Sequence, residues 1–255
     1  MEEQAFMALL LSLAAGLCTV LGGGISVLIR RPGRRMLACV LGFSGGIMVT
    51  VSLADLIPEA AHTLSARLSR PVAAAALTAA CVSGMLLALL LDLLLPEREG
   101  SVEREPGLLR LGIFSMVALM AHNIPEGMAV FLGGSRDWAT GASLAVAIAM
   151  HNLPEGILVA LPVQAATGNR GMAVGMATLS GLSEPIGALL AWGLLDHIAG
   201  EGRVSLLCSG VAGLMIYITF AELLPASLLQ QRPGWSLGGV LTGVSVMLLS
   251  LALLS

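Results

Sequence analysis

Eight long runs of apolar residues occupy most of this 255-residue chain. A helix that crosses a bilayer needs roughly 20 consecutive residues that are mostly apolar, and each run reaches that length. The runs are continuous rather than alternating, which argues against a β-barrel. They cover residues 6–29, 36–61, 71–95, 108–133, 138–162, 170–197, 203–229 and 235–254. We number them spans 1 to 8 and predict an all-α polytopic membrane protein with eight transmembrane helices.

The charge content of the chain agrees with this prediction. Charged residues make up 11% of the chain and hydrophobic residues 56%, whereas an ordinary soluble domain carries about 25% charged residues. So few charges cannot cover the surface of a soluble globule, and a chain this apolar does not stay disordered. A net charge of −3 without a basic stripe excludes a nucleic-acid partner. We expect a single transmembrane domain over residues 1–255, with the lipid bilayer as its surroundings.

The arginines between the spans predict the orientation of the chain. All 13 basic residues are arginines, and nine of them follow spans 1, 3, 5 and 7, while four follow spans 2, 4 and 6. Loops that are rich in basic residues stay in the cytoplasm. We therefore expect both termini to be extracytoplasmic.

Internal similarities predict an inverted repeat. The pattern G-x-M-x-x-x-[ST]-x-x-[DE]-x-x-P occurs at 46–58 in span 2 and at 213–225 in span 7, and a weaker match relates 16–18 in span 1 to 181–183 in span 6. The pattern H-N-x-P-E-G occurs in both span 4 and span 5. Spans 2 and 7 cross the membrane in opposite directions, as do spans 4 and 5. We predict a 3+2+3 arrangement, with spans 1–3 repeated as spans 6–8 around the central pair 4/5, which is typical of secondary transporters.

The paired H-N-x-P-E-G motif is a candidate metal site. In each copy the His and the Glu are four residues apart, so they share one face of a helix. An ionised Glu at the bilayer centre costs roughly 3 kcal/mol on insertion scales, and a bound divalent cation would compensate this cost. Mixed imidazole and carboxylate ligands suit zinc and related first-row divalent ions. The candidate ligands are His122, Asn123, Glu126, His151, Asn152 and Glu155. A buried polar network without metal and a proton relay are the alternatives.

Other polar residues inside the spans extend this site. Glu184 stands beside Pro185 within span 6, and we expect it to be a further ligand. Under the predicted orientation span 2 ends outside and span 7 ends inside, so acidic residues near these ends would mark an entrance and an exit for a cation. The alternative is that these charges are simply solvated. The candidate pathway residues are Met48, Asp55, Glu59, His62 and Glu222.

The eight spans, the paired motif and S-G-x-x-E-P-x-G at 180–187 resemble the ZIP (Zrt/Irt-like) divalent metal transporters, and within them the bacterial ZupT/GufA-like branch. The resemblance implies a secondary permease of the bacterial inner membrane that imports Zn²⁺, and also Fe²⁺, Mn²⁺, Co²⁺ or Cd²⁺, with both termini extracytoplasmic. No prosthetic group is implied, because the metal is the transported cargo. A homodimer is left open.

The resemblance also implies a binuclear metal site between spans 4 and 5. The residues at the first position would be His122, Glu126, His151 and Glu155. Asn123, Asn152 and Glu184 would complete a second position, with Glu126 and Glu155 bridging the two ions.

An intramembrane zinc-dependent hydrolase is the alternative function. Such an enzyme needs a metal with an open coordination position and a base, and the H-E-x-x-H pattern is absent from the sequence. The chain also has no phosphate-binding loop of the G-x-x-x-x-G-K-[ST] type and no lysine, so we expect no ATP coupling. We expect a transporter rather than an enzyme.

Overall fold

The computed structural model of the protein describes residues 2–29, 32–94, 106–193 and 201–254. Every regular element within these ranges is a helix, and eight spans are long and apolar enough to cross a membrane. The predicted fold class and the number of spans are therefore confirmed. The spans run over Glu3–Ser26, Arg34–Ser65, Arg70–Leu94, Gly107–Arg136, Trp138–Thr167, Arg170–Gly193, Gly202–Leu229 and Pro233–Leu253. Four arginines used for the predicted orientation, Arg30, Arg31, Arg98 and Arg104, lie outside the described residues.

The eight spans pack as two bundles. Spans 1, 4, 5 and 6 contact one another extensively, and we call them the motif bundle because two of them carry the H-N-x-P-E-G motifs. Spans 2, 3, 7 and 8 form the support bundle, and contacts between the two bundles are few. Only 11% of the most apolar stretch of span 3 is buried inside the molecule, so this helix presents most of its surface to lipid. The central pair 4/5 thus packs with spans 1 and 6.

Glycines let the helices of the motif bundle approach backbone to backbone. A Cβ atom on Gly127 of span 4 would lie 1.9 Å from the carbonyl oxygen of Glu184 in span 6. A Cβ atom on Gly156 of span 5 would lie 1.9 Å from the carbonyl oxygen of Thr19 in span 1. Small residues at such crossings allow the close packing on which membrane helix association depends. The last residue of each motif therefore sets the distance to a neighbouring helix.

Spans 1 and 6 meet at a reciprocal glycine contact. A Cβ atom on Gly16 would lie 2.4 Å from the carbonyl oxygen of Gly181, and a Cβ atom on Gly181 would lie 2.4 Å from that of Gly16. A two-fold relation between the two spans produces such a mutual contact, and these residues are the ones that the weaker sequence match pairs. The contact supports the inverted repeat, while the complete 3+2+3 arrangement stays a prediction.

Spans 2 and 7 each contain a π-helical segment at the same place in their shared pattern. In span 2 the elements are Arg34–Val51 (α), Ser52–Leu56 (π) and Ile57–Ser65 (α); in span 7 they are Glu201–Tyr217 (α), Ile218–Leu223 (π) and Leu224–Leu229 (α). Pro58 and Pro225 follow the two π segments and carry no N–H for the usual bond to the fourth residue back. The preceding turn is wider, and the N–H of Ile57 donates to the carbonyl oxygen of Ser52. Nothing in the hydrophobic pattern signals these segments, which are frequent at functional sites.

A single residue separates spans 4 and 5. Asp137 caps span 5, and its Oδ2 accepts hydrogen bonds from the hydroxyl of Thr140 at 2.7 Å and from the N–H of Thr140 at 2.9 Å. These bonds stabilise the ionised carboxylate, so the pKa of Asp137 lies below its ordinary value. Beside this turn, a Cβ atom on Gly141 would lie 2.3 Å from the Cα of Gly134. The tight hairpin places the two motifs side by side.

Candidate metal centre

The two H-N-x-P-E-G motifs lie in the middle of spans 4 and 5. Both helices continue through the motif prolines, Pro125 and Pro154. The motif histidines and glutamates point into the protein, with exposed fractions between 0% and 7%. Four titratable side chains are thus buried inside the protein.

Glu126 stands at the centre of this group. Its Oε1 lies 3.1 Å from Nε2 of His122 and 2.9 Å from Nε2 of His151. Oε1 of Glu155 lies 3.5 Å from Nε2 of His122. One ligand atom from each of His122, Glu126 and His151 lies within 4.8 Å of the others. Two imidazoles and two carboxylates from two helices therefore converge on one small volume.

Several atoms of this cluster are buried without a hydrogen-bond partner. They include Oε2 of Glu126, both carboxylate oxygens of Glu155 and Nδ1 of both imidazoles. An unpaired buried polar group costs about 1–3 kcal/mol, and an unpaired charge costs more. A divalent cation would bind carboxylate oxygens and imidazole nitrogens together, and this donor set suits zinc.

The motif asparagines are anchored through their amide nitrogens. Nδ2 of Asn123 donates to the carbonyl oxygen of Ser180 in span 6 at 3.1 Å, and Nδ2 of Asn152 donates to that of Ala15 in span 1 at 3.0 Å. Ser180 and Ala15 each directly precede a glycine of the reciprocal contact between spans 6 and 1. Oδ1 of each asparagine is buried without a partner. The hydrogen bonds therefore orient both amides and leave both oxygens as candidate ligands.

Glu184 of span 6 adjoins one of these amides. Nδ2 of Asn152 also donates to Oε2 of Glu184 at 2.7 Å, whereas Oε1 of Glu184 has no partner. A Cβ atom on Gly16 would lie 3.3 Å from Oε2 of Glu184, so the glycine leaves the space that the carboxylate occupies. All seven predicted ligands belong to the motif bundle; His122, Glu126, His151 and Glu155 form one cluster, and Asn152 pairs with Glu184. Their binding of metal stays a prediction.

A cavity of about 540 Å³ leads from the protein surface to this cluster. Glu126 and His151 line it in the middle of spans 4 and 5, while the exposed residues Glu59 and Arg136 line it near the ends of spans 2 and 4. Under the predicted orientation the cavity opens to the extracytoplasmic side.

The structure divides the predicted pathway residues into two groups. Asp55 and Glu59 line the cavity, as an entrance requires. Met48 is fully buried in the apolar core, and His62 is exposed; neither lines this cavity. Cys208 of span 7 lines the cavity although no pattern in the sequence distinguishes it.

Glu222 belongs to an ion-pair network. Nη1 of Arg110 donates to Oε1 of Glu222 at 3.2 Å, and Nη2 of Arg110 donates to the carboxylate of Asp92 and, at 3.0 Å, to the Asp92 carbonyl oxygen. The hydroxyl of Tyr217 donates to Oδ2 of Asp92 at 2.9 Å. We call these four residues the tetrad. Its members come from spans 3, 4 and 7, so no local sequence pattern could have grouped them.

These features define a multi-pass membrane protein in which a cavity leads to a buried cluster of histidines and glutamates that could hold a metal ion. A family profile described as "ZIP Zinc transporter" matches residues 97–251, more than half of the chain, and the chain belongs to the ZIP zinc transporter family. Membership in this family makes the protein a transporter rather than an enzyme, as predicted, and rules out the alternative of a zinc-dependent hydrolase.

Individual relatives match over nearly the full length of the chain. The protein is 40% identical to the zinc transporter ZupT of Corynebacterium efficiens over 98% of each chain. It is 39% identical to the ZupT of Chlorobium luteolum over 97% of this chain and 98% of the relative, and 35% identical to that of Streptococcus mutans over 99% of each chain. The resemblance to the ZupT branch is confirmed.

Proposed function

We propose that this protein is a secondary permease that carries Zn²⁺ into the cytoplasm across the bacterial inner membrane. The observation that carries this proposal is the buried cluster of two histidines and two glutamates at the inner end of a surface cavity. A closed structural site would need no such route for the ion. The relatives described above, all zinc transporters, support the same substrate.

The membrane potential can drive this transport without ATP. Moving one charge across 100 mV is worth about 2.3 kcal/mol, so a divalent cation gains about 4.6 kcal/mol on the way in. Fe²⁺, Mn²⁺, Co²⁺ and Cd²⁺ carry the same charge and accept nitrogen and oxygen ligands. We include them as further substrates of the same site.

The proposed centre holds two ions. His122, Glu126, His151 and Glu155 bind the first. Asn123, Asn152 and Glu184 complete the second, with the carboxylates of Glu126 and Glu155 as bridges. The unpartnered oxygens of the two amides and of Glu184 support a second ion, because each provides a lone pair that the protein leaves unused.

The proposed route begins at Asp55 and Glu59, which attract cations into the cavity. It passes the centre and leaves at the opposite end near Glu222. Transport requires a rocking or elevator motion of the motif bundle against the support bundle. The small contact between the two bundles supports such a motion. Roles of Met48 and His62 in this route stay predictions.

Uptake of radioactive zinc into proteoliposomes with an inside-negative potential tests the proposal. Glu126→Ala should abolish uptake, because Glu126 contacts both histidines. Glu3→Gln is the control, since Glu3 is exposed at the start of span 1, and it should transport normally. A wild-type protein that binds zinc and moves none would contradict the proposal.

A further inference from the structure

The tetrad lies far from the cavity mouth. Arg110 precedes His122 by 12 residues along the helix of span 4, which is about 18 Å at 1.5 Å per residue. Arg136, near the mouth of the cavity, follows His122 by 14 residues at the other end of the same helix. The tetrad and the cavity mouth are therefore on opposite sides of the candidate metal centre.

The tetrad also joins the two bundles. Arg110 belongs to the motif bundle, and its three partners, Asp92, Tyr217 and Glu222, belong to the support bundle. Glu222 projects from the π-helical segment of span 7. A relative movement of the bundles would separate the guanidinium from both carboxylates.

The chemistry of the tetrad explains how one residue can hold this contact. A guanidinium presents donors in a planar fork, and here Nη1 and Nη2 reach carboxylates on two different helices. The exposed fractions of the Arg110, Asp92 and Glu222 side chains are 24%, 17% and 15%. Without the guanidinium, two partly buried carboxylates would face each other, and separation of the bundles would rehydrate them.

We propose that Arg110 is a gating residue that closes the exit of the transporter while the cavity on the other side is open. By pairing with Asp92 and Glu222 it holds the ends of spans 3, 4 and 7 together, and Tyr217 orients Asp92 for this contact. Release of the metal requires the network to break. The inference rests on the proposed transport function.

The native Cys208 provides a reporter of the open cavity, because it lines that cavity. In a background of Cys18→Ser, Cys39→Ser and Cys81→Ser, a membrane-impermeant thiol reagent that is added outside should modify Cys208 only when the cavity is open. The labelling rate then measures the population of the outward-open state without a transport assay. Zinc uptake by the same background protein tests the proposed function separately.

Arg110→Gln should lower the Cys208 labelling rate at least threefold, because loss of the guanidinium favours the state in which the exit is open. Tyr217→Phe removes one hydrogen bond and should lower the rate less. Arg170→Gln, which changes an exposed arginine at the start of span 6, should leave the rate unchanged. Monodisperse elution of each variant in detergent verifies folding, and Tyr217→Phe carries the test if Arg110→Gln does not fold.

An unchanged or higher labelling rate in folded Arg110→Gln would contradict the proposed gate. If Arg110→Gln does not fold, the same result in Tyr217→Phe would contradict it. If the background protein transports no zinc but Arg110→Gln still lowers the labelling rate, the proposed function fails, and the tetrad controls the opening of the cavity without serving transport. If the background protein transports zinc and the labelling rate does not respond to either substitution, only the gate fails.

Discussion

At the scale of single residues, hydrogen bonds to the backbone of other helices orient the two motif asparagines of the candidate metal centre. Each amide nitrogen donates to a carbonyl oxygen of span 1 or span 6, and only Asn152 donates to a carboxylate as well. Glu184, beside Asn152, has no acidic counterpart in span 1, because Thr19 takes the matching place opposite Gly156. The second ion is therefore expected closer to Asn152 and Glu184 than to Asn123.

Asn152→Asp should make the stability of the protein depend strongly on zinc. The substitution removes the amide nitrogen that donates to Ala15 and Glu184. A carboxylate oxygen takes the place of that nitrogen, which lies 2.7 Å from Oε2 of Glu184. Leaving such buried groups unpaired costs about 1–3 kcal/mol, and a cation between the carboxylates would recover it. Thermal unfolding in detergent should show a lower Tm without metal and a larger upward shift with zinc than in the wild type.

Asn123→Asp is the matched control, because Asn123 donates to a backbone carbonyl oxygen but, unlike Asn152, not to Glu184. It should lose stability without metal and respond less to zinc than Asn152→Asp does. Equal zinc responses in the two variants would argue against the asymmetric position of the second ion.

Glu184→Gln should reduce the number of bound metal ions from two to one. The amide keeps the size of the side chain but removes the negative charge that the second position requires. Equilibrium dialysis followed by elemental analysis measures the stoichiometry. His122→Ala, which alters the other position, should retain binding that depends on Glu184. A stoichiometry of one in the wild type would contradict the binuclear centre.

At the scale of elements, helix separation in the motif bundle depends on a few glycines rather than on all of them. A Cβ atom on Gly22 of span 1 would lie 2.0 Å from the carbonyl oxygen of Leu153 in span 5, whereas a Cβ atom on Gly24 would meet no atom within 4 Å. Leu153 is part of the second H-N-x-P-E-G motif. Span 1 therefore packs directly against the backbone of the second motif and supports it.

Gly22→Ala should disrupt the protein, and Gly24→Ala should not. Overpacking of a close-packed site costs typically 1–3 kcal/mol, and here the obstructing atom belongs to the backbone and cannot turn away. Exchange of an open helical glycine for alanine is instead favourable by up to about 1 kcal/mol in soluble helices. The Tm and the zinc uptake rate of the two variants test this prediction. Equal values for the two variants would contradict the close contact between Gly22 and Leu153.

At the scale of the whole molecule, the proposed path runs between the two bundles, with the open cavity at one end and the tetrad closing the other. The open end carries the carboxylates of Asp55 and Glu59, and the closed end carries the tetrad. Charged walls of a cleft concentrate ions of opposite sign. The path can pass an ion only if the open and closed ends alternate.

The double substitution Asp55→Asn, Glu59→Gln should raise the apparent KM for zinc several-fold and change the maximal rate little. The two carboxylates attract the ion but do not belong to the buried cluster around Glu126. Because salt screens such attraction over about 10 Å at 0.1 M ionic strength, the difference from the wild type should shrink as salt is added. Uptake at a series of zinc and salt concentrations measures this, and a loss of maximal rate with unchanged KM would contradict the steering role.

The sequence alone determined the local features of this protein. The length and continuity of the apolar runs require eight membrane helices, because a backbone in lipid must satisfy its own hydrogen bonds. The i, i+4 spacing in two copies of one motif places His and Glu on one face of each helix, which predicted the candidate ligands.

Only the tertiary structure decided which helices meet. It grouped spans 1 and 6 with the motif pair, buried Met48 in the core, and paired Glu222 with Arg110. It also placed Cys208 in the cavity and introduced a π segment before each of Pro58 and Pro225. The physical reason is that contacts between distant spans depend on backbone approach at particular glycines and on the relative position of whole helices. Helical periodicity within one span carries no information about either.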